Sequence, residues 1–174
     1  SWRPLALAAE KEAGSVYVSA GIQAVKGERD PVLRRIARKQ RRQRPRWRWG
    51  RWDKHTFEYG KRFLRRYKPR LMMLSFLDSD QWAHRRSKKR YNATLRRYDQ
   101  WLKQLSQMLK KMGRYGEETT LVVTTDHGRG GGRWWPRHGL RFPSSRHAWL
   151  YSIGPCTEAG VRLEADQHSH VDIR

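Results

Sequence analysis

An α/β fold with a mainly parallel sheet is predicted by three features of the sequence. Leu71 to Leu77 is a nearly unbroken apolar run, as in a central strand covered on both faces. Thr119 to Thr125 (Thr-Thr-Leu-Val-Val-Thr-Thr) is β-branched and apolar, a second buried strand. Between them Tyr91, Leu95, Tyr98, Trp101, Leu102, Leu105, Met108, Leu109 and Met112 recur at helical steps and form one face of a long amphipathic helix. The order strand, helix, strand implies a right-handed crossover between parallel neighbours.

The remaining elements follow in order. Residues 2–13 are weakly helical in character, with Pro4 tolerable in a first turn. Val16-Tyr17-Val18 is a short strand. Asp30 is placed to cap a helix that starts at Pro31 and carries Val32, Leu33, Ile36 and Ala37 on its apolar side. That helix loses its apolar face in the basic run 38–44. Asp53 to Tyr67 is a second helix, with Phe57, Phe63, Leu64 and Tyr67 apolar and Pro69 as its stop. Gly113 and Gly116 end the long helix. Gly128 to Gly132 is a flexible glycine-dense loop, His147 to Gly154 another strand, and the tail from Glu158 is polar. No internal repeat is visible. A basic, mostly helical part (1–69) and a part carrying the ligand-type residues (70–174) are expected.

Composition narrows the function classes. At 174 residues one domain is the default, and nine tryptophans partly offset a hydrophobic content of only 37%. The single cysteine, Cys156, excludes an internal disulfide and a cysteine-rich zinc site. No run approaches the roughly 18 apolar residues of a membrane span, and no apolar signal core stands near the start. A chain that begins at Ser1 suggests a processed product or a fragment, and nothing in it selects a compartment. The net charge of +23 predicts attraction to polyanions or, equally, a solvated basic surface. The run 44–52, Arg-Pro-Arg-Trp-Arg-Trp-Gly-Arg-Trp, offers phosphate contacts and base stacking for nucleic acid. It also suits an anionic lipid surface, or cation–π packing inside the protein.

The chemistry-bearing residues stand at strand ends. Asp126-His127-Gly128 follows the 119–125 strand, at the sheet edge where ligands of open α/β proteins bind. Asp80 and His84 follow the other strand, and a spacing of four puts them on one face of a helical turn. His138 follows the glycine loop and can fold back over the same edge. A carboxylate with imidazoles suits a divalent metal. Two such cations about 4 Å apart serve phosphoryl transfer.

Asp80-x-x-x-His84, a long helix, Thr124-Thr125-Asp126-His127-Gly128, then His138-Gly139 and a strand ending in Gly154-Pro155 together resemble the alkaline phosphatase superfamily. The likeness is nearest to its phosphodiesterase and sulfatase-like branch and spans about residues 70–174. His170-Val171-Asp172-Ile173 resembles the start of a further family segment. The resemblance implies a three-layer α/β/α sandwich, here the incomplete C-terminal half of an alkaline-phosphatase-like fold. It implies two metals, commonly zinc, with manganese, calcium or magnesium in some branches: one held by Asp80, His84 and His138, the other by Asp126 and His127. Asp78 competes with Asp80 but departs from the spacing. Asp99 is read as structural, and His55, His147 and His168 match nothing specific.

Arg129 or Arg133 would clamp an anionic substrate or be solvated loop arginines. Residues 1–70 show neither the early metal-binding Asp nor the Ser or Thr nucleophile at a helix N-terminus that family enzymes carry. The expectation is a hydrolase of phosphate or sulfate esters, present as a fragment without its nucleophile and inactive by itself. In the complete enzyme the implied mechanism is double in-line displacement. The alternative is a basic nucleic-acid-binding or scaffold protein on a degenerate hydrolase half-fold.

Overall fold

The computed structural model describes residues 7–11, 14–18, 29–43, 45, 47, 51–155 and 157–161. The readings placed on Arg44, Arg46, Arg48, Trp49 and Gly50, on Cys156, on His168 and on the stretch 170–173 lie outside the described residues.

Two short strands come first, β1 (Leu7–Lys11) and β2 (Gly14–Val18), paired antiparallel with Leu7 opposite Val18. Within the stretch 2–13, the expected weak helical character is overridden at Leu7–Lys11. Pairing with the β-branched Val16 and Val18 wins over the modest propensity of an Ala-rich segment. Helix α1 (Pro31–Arg42) starts where expected: the Asp30 carboxylate accepts from Val32 N–H (2.8 Å) and Leu33 N–H (3.3 Å). Arg62 Nε and Nη2 both donate to Asp30 Oδ2 at 2.8 Å, which ties α1 to α2 (Asp53–Tyr67). Burial pushes the Asp30 carboxyl up, but Arg62 and the two N–H groups outweigh it and hold it below the ordinary value. Its contribution is thus present above the unfolded carboxylate pKa and lost as pH falls through the lower, folded one. Asp30→Ala should cost about 1–2 kcal/mol in urea unfolding at pH 7. A loss below a few tenths would show that the cap is idle.

Helix α2 lies between two apolar clusters. Leu33, Tyr59 and Phe63 form the first, facing α1. Phe57, Leu64, Trp101, Leu105 and Leu109 form the second, facing α4 (Lys88–Lys110). Phe57 stacks on Trp101 at 4.6 Å. Met72 and Leu74 touch both clusters. Gly60 permits this approach, because a Cβ there would stand 2.5 Å from a Leu74 methyl carbon. The predicted apolar face of α4 is the buried one from Trp101 onward, while Leu95, nearer its start, is 42% exposed.

The sheet differs from expectation. Leu71 to Leu77 forms no strand and has only an isolated bridge at Met72. Its even positions, Met72, Leu74 and Phe76, pack inward, whereas Leu71 (62%) and Met73 (53%) are exposed. Only one face is covered, which is not the environment of a central parallel strand. β3 (Leu121–Thr124) pairs antiparallel with β4 (Leu150–Ile153), Leu121 opposite Ile153. Among the described residues no strand pairs in parallel, so the expected parallel sheet is replaced by this two-stranded ribbon. The fold is α/β in content, with its core between helices. No described helix is long and apolar enough to cross a membrane.

The Arg/Trp run is packed where it is described. Trp47 is 4% exposed and meets Trp52 and Trp82 edge-on at 4.7 and 5.4 Å. Arg85 lies over Trp47 and Arg90 over Trp82. Trp47 is therefore a cation–π core element and presents no free face to a nucleotide base.

Candidate metal centre

The short helix α3 (Asp78–His84) carries Asp80 and His84, and a buried junction fixes where it starts. Asp53, at the head of α2, accepts from Leu77 N–H (2.9 Å) and Asp78 N–H (2.6 Å). Asp78 in turn faces the Asp53 N–H at 3.4 Å. Each carboxylate thus caps the helix that the other begins. Tyr98 Oη adds a hydrogen bond to Asp53 and receives the Ser79 N–H at 3.2 Å. Burial pushes Asp53 up to about 6, despite the opposing pull of Tyr98 and the two amides. Burial, then the charge of Asp53, push Asp78 up to about 8. Asp78 is committed to this junction and turns away from the cluster that Asp80 enters. Asp99 is exposed on α4.

The spacing of four places Asp80 and His84 on one face of α3, with His84 Nε2 3.2 Å from Asp80 Oδ2. The loop after β3 brings His127 Nε2 to 3.9 Å from Asp80 Oδ1. The loop beyond the glycines brings His138 Nε2 to 3.7 Å from the same oxygen. His84 and His138 face each other with their Nε2 atoms 3.0 Å apart. The rings of His127 and His138 stack at 3.8 Å. Asp80, His127 and His138 each offer a ligand atom within 4.8 Å of the others. Asp126 stands at the rim, its side chain 69% exposed and its Oδ2 3.6 Å from His127 Nε2. The five predicted ligands thus make one continuous cluster. His127 joins Asp80 and His138 directly instead of standing apart with Asp126.

The donor chemistry fits a divalent cation. Gly128 O can only accept, so His127 Nδ1, 2.7 Å away, carries the ring proton and leaves the Nε2 lone pair facing the cluster. Burial, then the neighbouring His127, hold His138 below the usual imidazole value, in the neutral form that ligates. Two imidazole nitrogens 3.0 Å apart require a proton or a cation between them, because facing lone pairs repel. A carboxylate with three imidazoles is a zinc-type donor set.

The two candidate substrate arginines differ. Arg129 Nη2 bonds Asp80, its side chain is only 16% exposed, and its Nη1 is buried without a partner. Tyr91 on α4 lies under its guanidinium at 5.8 Å. Arg133 is exposed and sits over Trp134, away from the cluster. The front of the glycine loop is packed, contrary to its flexible look in sequence: a Cβ on Gly128 would meet Ser144 O at 2.4 Å. Asp53 and Tyr98 escaped the sequence reading as parts of the site's support. The only signal for Asp53 was its place at a helix start.

The sequence profile of the type I phosphodiesterase / nucleotide pyrophosphatase family matches residues 17–132. The matched stretch takes in α1 and α2, which no motif had linked to the family, and ends before His138. No curated protein and no solved structure matches this chain. A family match over about two thirds of the sequence, joined to the Asp/His cluster at the strand end, shows that the chain belongs to the type I phosphodiesterase / nucleotide pyrophosphatase family of phosphoester hydrolases, within the alkaline phosphatase superfamily.

Proposed function

We propose that this chain provides the cation site of a metal-dependent hydrolase acting on phosphate esters, with zinc the favoured metal. Asp80, His84 and His138 would hold one cation, His127 adjoins it, and Asp126 with His127 would face a second. The carrying observation is the convergence of four ligand-type side chains from three segments at 3.0–3.9 Å. A cation bound there would polarise a phosphoryl oxygen and lower the pKa of bound water. Asp80 supplies the compensating charge, and the Gly128 carbonyl orients His127. Arg129 keeps a spare buried donor, Nη1, beside the cluster for a substrate oxyanion. The attacking hydroxyl is assigned to no residue of 1–174, so the chain alone should hydrolyse p-nitrophenyl phosphate at background rate.

Zinc titration of chelator-stripped protein tests the reading. Saturable binding is expected, weakened when Asp126 and His127 are both replaced by alanine. No binding, or affinity indifferent to that double replacement, contradicts it. Chelator-sensitive turnover by the unaided chain would show that a nucleophile is present after all.

A further inference from the structure

His127 and His138 sit on separate loops, yet their rings lie 3.8 Å apart and within 14° of parallel. The 3-10 turn Pro143–Arg146 joins those loops. Ser145, 5% exposed, accepts the Gly128 N–H at its carbonyl (2.8 Å). Its Oγ accepts the Gly139 N–H (3.1 Å) and directs its single proton to the carbonyls of Gly139 (2.8 Å) and Phe142 (2.7 Å). Gly128 follows His127, and Gly139 follows His138. One residue thereby holds the backbone immediately after both imidazoles. Ser144 Oγ adds a bond to Arg129 O at 2.7 Å, and Gly130 N–H donates to Arg137 O at 2.9 Å. The turn presses on Gly128 so closely that a side chain there would meet Ser144 O at 2.4 Å and His147 O at 2.5 Å. Gly139 takes φ +111°, a conformation suited to glycine.

We infer that Ser145 is the positioning residue of the cation site: it locks Gly128 and Gly139 and so holds the His127 and His138 imidazoles in the stacked arrangement in which both offer a lone pair to one cation. Its consequence for metal affinity rests on the reading above. Its consequence for ring geometry does not. Support groups of this kind characteristically change metal affinity about 10–100-fold when removed.

The test is Ser145→Ala in the full chain, read twice. In chelator-treated protein, the imidazole C–H proton signals of His127 and His138 carry each other's ring-current shift. The variant keeps the carbonyl bond to Gly128 but loses the Oγ bonds to Gly139 and Phe142, which frees the His138 loop. Because each ring shifts the other's signal, both should move toward unstacked positions, while the buried His55 signal stays in place. In zinc titration the dissociation constant should rise about tenfold. Unmoved ring signals overturn the inference, whatever zinc does. Displaced rings with unchanged zinc affinity overturn the role in the cation site. Displaced rings in a protein whose wild type binds no zinc uphold Ser145 as the ring-positioning group and reject the metal reading. If alanine prevents folding, Ser145→Cys, similar in size but a weak hydrogen-bonding group, must show the same displacement, and its absence is equally decisive.

Discussion

Asp80→Asn is expected to abolish tight zinc binding, by more than about 100-fold, and to lower the stability of the metal-free protein at the same time. On the proposed reading Asp80 would be a ligand itself, so the first effect should exceed the 10–100-fold characteristic of supporting groups. Among the described residues it is the only carboxylate that meets His84, His127, His138 and Arg129 together. Amide oxygen is a weaker ligand than carboxylate and brings no charge to offset the cation. The second effect comes from Arg129, whose 16%-exposed side chain would lose its counter-ion. Removing one partner of a buried pair is costly, and partial exposure of this pair reduces the loss to about 1–2 kcal/mol. Calorimetric zinc titration and chelator-treated thermal melts measure the two effects separately. Retained zinc affinity in the variant would remove Asp80 from the ligand set. An unchanged metal-free melt would show that the Arg129 pair is energetically neutral.

The largest stability effect is expected at the junction of α2 and α3. Asp53→Ala leaves the amides of Leu77 and Asp78 and the hydroxyl of Tyr98 without their acceptor in a buried place. Each unsatisfied group costs about 1–3 kcal/mol, so a total of about 3 kcal/mol or more is expected. Asp53→Asn keeps an acceptor and should lose less. The same junction makes stability depend on pH. The folded state keeps protons on Asp53 and Asp78 that the unfolded chain releases near pH 4, since the folded values are about 6 and 8. Their stabilisation is therefore complete at low pH and is lost as pH rises through the folded values.

His55 acts in the opposite sense. Burial, then Lys54, Lys39 and Arg51, hold it down to about 4, so its contribution grows as pH rises from there to 6.5. The window above pH 6.5 belongs to the carboxyl pair. Urea unfolding should show stability falling between pH 6.5 and 8 by about 1 kcal/mol per pH unit. Asp78→Asn should flatten that slope, and a slope that survives the substitution would place its origin elsewhere. Because the junction also sets where α3 starts, Asp53→Ala should weaken zinc binding along with stability.

The local elements were legible residue by residue. Asp30 with Pro31, Asp53 with Pro69, and the three-and-four spacing of the long helix announced α1, α2 and α4 at their observed places. Caps and helical periodicity are short-range effects written in neighbouring residues. Sheet pairing is not. Leu71 to Leu77 is apolar on both faces, and nothing in its spelling states that Leu71 and Met73 remain exposed or that β3 takes β4 as an antiparallel partner. The basic and aromatic alternation near Trp47 was open to three interpretations, and for Trp47 itself burial against Trp82 marks packing inside the protein.

From sequence alone came the ligand types and their local geometry: Asp80 four residues before His84, Asp126 beside His127 at the end of a strand, and His138 after a loop rich in glycine. Their convergence required the folded chain, as did the placement of His127 against Asp80, the engagement of Arg129 by that carboxylate, and the cross-tie through Ser145. Spacing along a chain sets which side chains share a face of one element. Which faces then meet depends on long-range packing and on hydrogen bonds between loops, for which a single sequence carries no short-range code.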